Sequence, residues 1–228
     1  MKGLLITVLV LLGLLVAADR VGVVVAEDQV AAQVARQGQL AGEPDVDITG
    51  FPFLTQAVEG RYSDVRLGLT AADLGLPEGG SAEVSLQGVQ VPLSDVVGGE
   101  VSAIPVERVD GRASLTYALV ASQIDGDVEL TREGDGVRVT RTVEVLGQSI
   151  RLTAAGTVAL DGQDLVIDVQ QASGAGIDVP DFLVDAAQDL LDFRYTIPTL
   201  PFGLQLTGLE TTDTGVDVTV EATDVVLQ

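Results

Sequence analysis

The sequence contains no cysteine, histidine, asparagine or tryptophan, and these absences exclude several kinds of chemistry. Without cysteine there is no disulfide, no thiolate nucleophile and no zinc–thiolate site. Without histidine the chain lacks the commonest metal ligand and the usual general base. We therefore expect no catalytic residue, no metal and no cofactor. A hydrolase built on paired carboxylates is the remaining enzymatic alternative, because 34 acidic residues make neighbouring carboxyls unavoidable.

Positive charge is also scarce. The sequence has 12 basic and 34 acidic residues, which gives a formal net charge of −22, and Lys2 is the only lysine. Nucleic acids and anionic lipid surfaces are bound electrostatically through cationic patches, so this balance argues against both as partners. The chain is nevertheless 46% hydrophobic, with regular alternation along much of its length, which argues against disorder.

The N-terminus carries the one long hydrophobic run. Lys2 precedes an uncharged, mostly aliphatic stretch, Gly3 to Ala18, and Asp19-Arg20 ends it. A helix of that length spans about 24 Å, slightly short of a ~30 Å hydrocarbon core. We predict that residues 1–20 are a signal anchor with Lys2 in the cytoplasm; a cleaved signal peptide is the alternative, because small residues stand at positions 16–18. Residues 21–40 continue as a helix that packs on a sheet, and residues 21–228 form a single exported domain.

Most of the remaining chain alternates between apolar and polar residues with period two. This pattern is typical of antiparallel sheets with one dry and one wet face. Hairpin turns are expected at Glu133–Gly136 and at Asp161-Gly162. The fold class predicted is α+β, and the strands are long enough for the sheet to curve and enclose a helix or a cavity. The clearest alternating segments are Val65–Leu69, Val84–Gln87, Ile150–Leu160 and Val216–Ala222.

Three local patterns depart from plain strand. Arg141 falls in phase with the valines of its segment, which predicts a β-bulge or a position at the end of a barrel. Helical spacing of apolar residues predicts helices at Ser114–Ile124 and Pro180–Phe193, and a single turn at 92–97. The segment Asp45–Gly50 begins like a calcium loop, but Thr49 stands at the third ligand position and Gln56 replaces the closing Glu. The ligand set is therefore incomplete, and we predict an acidic edge strand instead.

Two phenylalanine–proline segments, Gly50–Leu54 and Thr199–Leu204, hold three of the five phenylalanines. Proline between apolar residues fixes the backbone and removes a donor, so neither segment is expected in the middle of a helix or in a central strand. Apolar turns in so acidic a protein indicate the rim of a cavity or a packed corner.

Several motifs, in this order along nearly the whole chain, resemble the actinobacterial family of LmeA-like phospholipid-binding proteins. They are Ala17-Ala18-Asp19-Arg20, Thr49–Gln56 with its Phe-Pro-Phe-Leu core, Gly60-Arg61-Tyr62, Gly88–Asp95, Leu200–Leu204 and Ala222–Leu227. The resemblance implies a highly curved antiparallel sheet wrapped around a long helix, similar to tubular lipid-binding (TULIP-like) domains, with an apolar tunnel for acyl chains. It also implies a cell-envelope protein outside the plasma membrane that serves glycolipid maintenance, with a possible glycosyltransferase partner.

On this interpretation the chain is a membrane-tethered phospholipid-binding or lipid-transfer protein. Arg61 and Arg66 are the cations nearest the first turn and are candidates for a head-group phosphate. The alternative is an anchored envelope interaction domain that binds no ligand and supports a partner enzyme. The residues expected at the tunnel mouth and lining are Phe51, Pro52, Phe53, Leu54, Phe182, Leu183, Leu190, Pro201 and Phe202.

Overall fold

The computed structural model describes residues 2–92, 103–122, 128–145, 148–161, 164–174, 193–196 and 203–227. In chain order the elements are α1 (Lys2–Gly38), β1 (Asp45–Thr49), α2 (Phe53–Glu59), β2 (Arg61–Thr70), β3 (Gly80–Gln90), β4 (Ile104–Thr116), α3 (Tyr117–Ser122), β5 (Val128–Glu133), β6 (Gly136–Val145), β7 (Gln148–Asp161), β8 (Asp164–Gly174), β9 (Phe193–Thr196), β10 (Gln205–Thr211) and β11 (Gly215–Leu227).

The chain divides into two compact units whose boundaries fall within β3, β4 and β11. Unit 1 comprises residues 1–76, 82–111 and 222–228, and unit 2 comprises residues 77–81 and 112–221. The prediction of an α+β chain with a long N-terminal apolar helix and mostly antiparallel strands is confirmed. The predicted helix at 180–193 lies outside the described residues except for Phe193, which begins β9. The predicted turn at 92–97 lies outside them except for Pro92.

The helix α1 is continuous over 37 residues, so the predicted extension of the apolar run into the following segment is confirmed. At 1.5 Å per residue it is about 55 Å long. The helix exposes nearly every leucine and valine before Asp19, whereas Asp19, Val23 and Ala31, from its middle onwards, are buried. The helix is long and apolar enough to cross a membrane.

The second half of α1 packs on β1 and α2 in unit 1. Within this unit the strand order is β1-β2-β3-β4-β11, with β1 at the edge and antiparallel to β2. The prediction of an acidic edge strand at Asp45–Thr49 is therefore confirmed, and Val46 and Ile48 on its apolar face are buried. The backbone N–H of Ile48 donates to Oε1 of Glu27 on α1 at 2.9 Å, so the helix satisfies part of the open edge.

Two strands of unit 1 carry a residue with positive φ. Gly88 in β3 has φ +65°, a left-handed conformation that favours glycine, and a Cβ there would displace the end of the Glu107 side chain, 2.5 Å away. Asp224 in β11 has φ +53°, and the buried residues on either side of it, Ala222 and Val225, are three positions apart rather than two. Both strands therefore depart from strict alternation within this unit.

Unit 2 contains a sheet with strand order β5-β6-β7-β8-β9, in which every neighbouring pair is antiparallel. Glu133 pairs with Gly136 across the β5–β6 turn, which confirms the predicted hairpin. Asp161 pairs with Asp164 across the β7–β8 connection, in agreement with the second predicted hairpin. In the same unit β10 pairs antiparallel with β11, with a register shift between Leu206 and Gly208.

Of the two alternatives predicted at Arg141, the bulge is wrong, and the position at the end of a barrel stays a prediction. Arg141 pairs with Val128 on one side and with Leu152 on the other, and both registers run through it unbroken. The shift in this sheet occurs instead between Ala155 and Gly156, opposite β8. Arg141 is exposed, so its guanidinium remains in water and needs no local rearrangement of the strand.

The predicted helix at Ser114–Ile124 is partly wrong. Residues 114–116 belong to β4, and the helix α3 begins only at Tyr117. Tyr117 is buried and its hydroxyl donates to the carbonyl oxygen of Thr212 at 2.9 Å. Burial raises the pKa of this phenol above its usual value; of the smaller effects, Arg132 lowers the pKa and Asp213 raises it.

Candidate functional site

The first phenylalanine–proline segment, Gly50–Leu54, forms a turn that leads directly into a helix. The Phe51–Pro52 peptide bond is cis, and Pro52 is the N-cap of α2 in an extended conformation. Phe53 and Leu54 are then the first two helical residues, so the proline stands at the start of a helix and not in its middle, in agreement with the expectation for this segment. Proline is compatible with this position because the first residues of a helix have no intrahelical acceptor for their N–H groups.

Asp19, at the end of the long apolar run, holds this turn. Its side chain is only 1% exposed, and its Oδ1 accepts a hydrogen bond from the backbone N–H of Leu54 at 2.8 Å. The other oxygen, Oδ2, is buried without a hydrogen-bond partner and lies 3.9 Å from Nη2 of Arg20. A buried carboxylate is costly unless hydrogen-bonded, so this contact fixes the start of α2 against α1.

Gly22 lets the two helices approach closely. A Cβ placed there would already touch Leu54 Cδ2 and the Phe53 ring at 3.5 Å. Any side chain extending beyond Cβ would therefore displace the start of α2. The consequence is a tight contact in which both Asp19 and Gly22 of α1 face the same two residues of α2.

The two phenylalanines of the turn lie in opposite environments. Phe53 is 6% exposed and its ring lies 6.2 Å from that of Tyr62 in β2, whereas Phe51 is 61% exposed. The guanidinium of Arg20 lies over the Phe51 ring, 5.1 Å from its centroid, at a cation–π distance. Partial burial raises the pKa of Tyr62. Phe53 thus belongs to the core, and Phe51 is presented at the surface.

Gln56 and Asp64 connect the turn to the neighbouring strands. Gln56 donates to the carbonyl oxygen of Thr49 at 3.2 Å and accepts from the N–H of Ser63 at 2.9 Å, so one side chain joins α2, β1 and β2. Asp64 accepts from the hydroxyl of Ser85 at 2.6 Å and pairs with Nε of Arg66 at 2.8 Å.

The two candidate head-group arginines therefore differ. Arg66 already has a carboxylate partner, which a phosphate would have to displace. Arg61 is exposed, and it forms no ion pair within the part of the chain that the structure describes.

Exposed apolar side chains lie on α1 and on the turn and α2, close in sequence to the residues that form the Asp19–Leu54 contact, and we call them the apolar patch. Three of its members lie on α1 just beyond the uncharged run, and three lie on the turn and α2. Exposed aliphatic and aromatic side chains concentrated in this way mark an interaction surface more often than chance exposure does. The apolar patch consists of Val21, Val24, Val25, Phe51, Leu54 and Val58.

In the described part of the chain one depression lies in each unit, and neither is lined by the predicted site residues that the structure describes. One of about 390 Å³ in unit 1 is lined mainly by the acidic residues Glu27, Asp28, Glu43 and Asp45. The other, of about 280 Å³ in unit 2, is lined by glycine, serine and threonine residues with Leu115 and Asp217. Among the described residues no group of three or more acidic side chains is arranged to hold a metal ion.

Of the nine predicted mouth and lining residues, the structure brings Phe51, Pro52, Phe53 and Leu54 together at the start of α2. Sequence reasoning missed their partners on α1, namely Asp19, Arg20 and Gly22. The available signal was the acid–base pair that interrupts an otherwise continuous apolar stretch from Gly3 to Ala26. The other five predicted residues, Phe182, Leu183, Leu190, Pro201 and Phe202, lie outside the described residues.

Comparison with known protein families matches residues 17–221 to the family described as LmeA-like phospholipid-binding. The match covers most of the chain, so this protein belongs to the LmeA-like phospholipid-binding family. It begins two residues before Asp19 and includes both units. Comparison with curated proteins and with solved structures gives no match.

Proposed function

We propose that this protein is a membrane-tethered phospholipid-binding or lipid-transfer protein on the outer side of the plasma membrane. The observation that carries the proposal is the family match over residues 17–221. The helix α1 supplies a tether, because it is long and apolar enough to span a bilayer and continues without a break into unit 1. Lys2 at its start favours a cytoplasmic N-terminus.

The acyl chains would occupy an apolar tunnel formed by a curved sheet of the tubular lipid-binding type. Each buried methylene contributes about 0.8 kcal/mol, so a dry cavity is sufficient to hold a two-chain lipid without any catalytic group. The long alternating strands supply suitable walls, as in β7 with 14 residues and β11 with 13. We assign Phe51, Pro52, Phe53 and Leu54 to the mouth, with Phe182, Leu183, Leu190, Pro201 and Phe202 completing the lining.

We assign the head-group contact to Arg61 rather than to Arg66. Arg61 is exposed beside the turn, whereas Arg66 is already engaged by Asp64 at 2.8 Å. A phosphate at Arg61 would gain a charge-assisted hydrogen bond without displacing a carboxylate. The biological role in this proposal is maintenance of envelope glycolipids, alongside a glycosyltransferase, and not catalysis by this chain.

A photoreactive phospholipid tests the proposal in the full-length protein. The chain is reconstituted in nanodiscs that contain a trace of phosphatidylcholine with a diazirine near the end of one acyl chain, irradiated, digested and mapped by mass spectrometry. We expect adducts on strand residues between positions 61 and 227 that excess unlabelled phospholipid suppresses. Adducts confined to residues 2–26 would show only the lipid around the tether and would contradict the proposal.

A matched pair of variants sharpens this experiment. Leu54 and Leu74 are both exposed leucines of unit 1, at 38% and 45%, but only Leu54 is assigned to the mouth. Leu54→Asp places a charge in the path of the acyl chains and should lower the strand adducts several-fold, because an ionised carboxylate is costly to bring against hydrocarbon. Leu74→Asp should leave them unchanged.

The second candidate function is an anchored interaction domain without a ligand, and the exposed ring of Phe51 favours it. Under this alternative Phe51→Asp abolishes recovery of a partner enzyme after cross-linking in cells, while the acyl-chain adducts are absent in the unaltered protein. Phe51 is the appropriate position for this test because its side chain is exposed. Phe53 is unsuitable, since it is buried against Tyr62 and its substitution would disturb the core.

A further inference from the structure

We infer that the apolar patch is a membrane-interface contact, seated in the head-group layer of the same bilayer that α1 crosses. This inference rests on the proposed tether, and it adds a second, peripheral attachment that positions unit 1 against the lipid surface. The occupant is the phospholipid bilayer itself. The argument depends on where the patch lies along α1, on its composition and on the residues that fix it there.

The depth of the patch follows from the length of the helix. The uncharged run ends at Ala18, and a hydrocarbon core of ~30 Å requires about 20 helical residues. An inserted α1 therefore leaves the hydrocarbon close to Asp19–Gly22. The N–H of Leu54 is hydrogen-bonded to Asp19 at 2.8 Å, and the Phe51 ring lies under Arg20, so both residues stand at the level where α1 leaves the hydrocarbon.

The extent of the patch matches the thickness of the next layer. The head-group region occupies roughly 5–8 Å on each side of the hydrocarbon. Val21, Val24 and Val25 lie within about six residues, or about 9 Å, of Asp19 along the helix. The first acidic residues beyond them, Glu27 and Asp28, begin where water is expected. Exposed valines stop and charges start at the far edge of this layer.

The chemistry of the patch also fits an interface. Arg20 is 58% exposed and carries the only positive charge among the residues that touch Phe51 in the described structure. An arginine stacked on an aromatic ring can reach head-group phosphates while its ring partner enters the acyl boundary. Because the net charge of −22 disfavours electrostatic attraction to anionic lipid, apolar contact must supply the attachment.

Asp19 is placed as this location requires. A carboxylate at the edge of the hydrocarbon is costly, and Asp19 is almost completely covered and hydrogen-bonded to α2. Phe53 and Leu54 also lie so close to Gly22 that a Cβ built there would be 3.5 Å from both side chains. The patch is therefore held at one depth by two contacts with the helix that spans the membrane, and it does not hang from a separate linker.

Single-tryptophan variants of the full-length chain test the inference, because the native sequence has no tryptophan. Phe51→Trp and Val58→Trp place the probe on the patch at positions that are 61% and 75% exposed, so folding should tolerate both. Leu11→Trp reports insertion of α1. Leu74→Trp is the matched control, because Leu74 lies far from the patch. Its neighbour Asp73 accepts a hydrogen bond from Ala41 N–H at 2.7 Å, just beyond the end of α1. That end of the helix is about 30 Å from Asp19.

Each variant is reconstituted in phosphatidylcholine vesicles that contain lipids brominated either near the head-group end or near the methyl end of the acyl chain. We expect the deep bromines to quench Leu11→Trp. The shallow bromines should quench Phe51→Trp and Val58→Trp at least about two-fold more than Leu74→Trp, with blue-shifted emission. Val58→Trp is decisive because Val58 is not assigned to the acyl-chain tunnel.

Three results would overturn the inference. The first is quenching at Phe51 and Val58 no greater than at Leu74. The second is blue-shifted emission at Phe51 and Val58 without quenching, which would indicate contact with protein in place of lipid. The third is absence of quenching at Leu11, which would show that α1 is not inserted. The outcome is separable from that of the lipid-carrier proposal. Quenching at Val58 without acyl-chain adducts on the strands would support the membrane-interface contact and contradict the lipid-carrier proposal. Strand adducts without quenching at Val58 would support the carrier and contradict the interface contact.

Discussion

At the scale of single residues, Asp19 is the position on which most of the candidate site depends. It is the first charge after the apolar run, it is almost completely buried, and it is hydrogen-bonded to Leu54, which follows it by 35 positions in the sequence. Its neighbour Arg20 is exposed and covers Phe51. The two adjacent charged residues therefore have different roles. Asp19 holds the start of α2 by a buried hydrogen bond, and Arg20 lies at the surface of the same contact.

Replacement of Asp19 should loosen α2 in a way that depends on the acceptor oxygen. Asp19→Ala leaves the N–H of Leu54 buried without a partner, which costs about 1–3 kcal/mol and should accelerate hydrogen exchange in residues 53–59 roughly 5- to 150-fold. Asp19→Asn keeps an acceptor at the Oδ1 position and should preserve most of the protection. Exchange mass spectrometry of the full-length protein in nanodiscs makes the comparison. Equal protection in all three proteins would show that the contact is not formed.

At the scale of elements, the corner between α2 and β2 is where backbone geometry is most constrained. Gly60 ends α2 in a left-handed conformation with φ +66°, and the N–H of Val91 donates to its carbonyl oxygen at 2.9 Å. A Cβ at Gly60 would stand 2.8 Å from Cα of Pro92 and 2.9 Å from the Val91 carbonyl oxygen. Two backbone segments therefore converge where only glycine fits.

Gly60→Ala should be markedly more destabilising than Gly75→Ala. Both glycines belong to unit 1 and have nearly the same φ, +66° and +67°, but a Cβ at Gly75 would meet only Ala41 Cβ at 3.8 Å. The left-handed conformation alone costs about 1–2 kcal/mol, and the backbone clash at Gly60 adds to it. Urea denaturation followed by circular dichroism measures the difference. If the two variants unfold at the same concentration, Pro92 and Val91 do not approach Gly60 as described.

At the scale of the whole molecule, a strongly acidic chain carries a strongly apolar helix. The 34 acidic residues favour solubility and repulsion from anionic surfaces, whereas α1 exposes nearly all of its leucines between Leu4 and Leu15. Exposure of that much aliphatic surface is stable only in lipid or in contact with another protein. Membrane attachment should therefore depend on this helix and not on charge.

Two arginines within the helix should release the protein from the membrane. Leu9→Arg with Leu12→Arg adds roughly 5–7 kcal/mol to the cost of insertion, given ~2.5–3.5 kcal/mol for each arginine near the centre of a span. Leu74→Arg with Leu76→Arg makes the same change of charge at exposed leucines outside the helix and should leave the protein membrane-bound. Alkaline carbonate extraction separates the two cases, and intact mass shows whether residues 1–18 remain. Retention of the Leu9/Leu12 variant in the membrane would contradict the tether.

Prediction from the sequence was most successful where the pattern is local. Period-two alternation found β2, β7 and β11, and the Glu133–Gly136 turn found its hairpin, since each depends on residues close together in the chain. It was less successful at α2, where a seven-residue helix has too few turns to show a stripe. The helix at Tyr117–Ser122 began later than expected, because apolar residues at 115 and 119 fit both a strand end and a helix face.

The site itself was predicted in part. The turn Phe51–Leu54 was identified from scarce aromatics beside a proline, but its two phenylalanines proved unequal, with Phe53 buried and Phe51 exposed. The bulge expected as one alternative at Arg141 is absent from the described strand pairing. It was expected because alternation alone does not tell which side of a strand faces water. An arginine in phase with the alternating positions of a strand gives the same sequence pattern whether its guanidinium is exposed or buried.

The sequence alone was enough to establish the apolar segment that begins α1, the antiparallel strands and membership of a lipid-binding family. Each of these is recognised from runs, periods or motifs of contiguous residues. Tertiary structure decided that Asp19 bonds to Leu54, that Gly22 admits Phe53, and that Arg20 covers Phe51. Those contacts join parts of the chain some 30 residues apart. They form only when packing excludes water from both sides, and no local pattern encodes that condition.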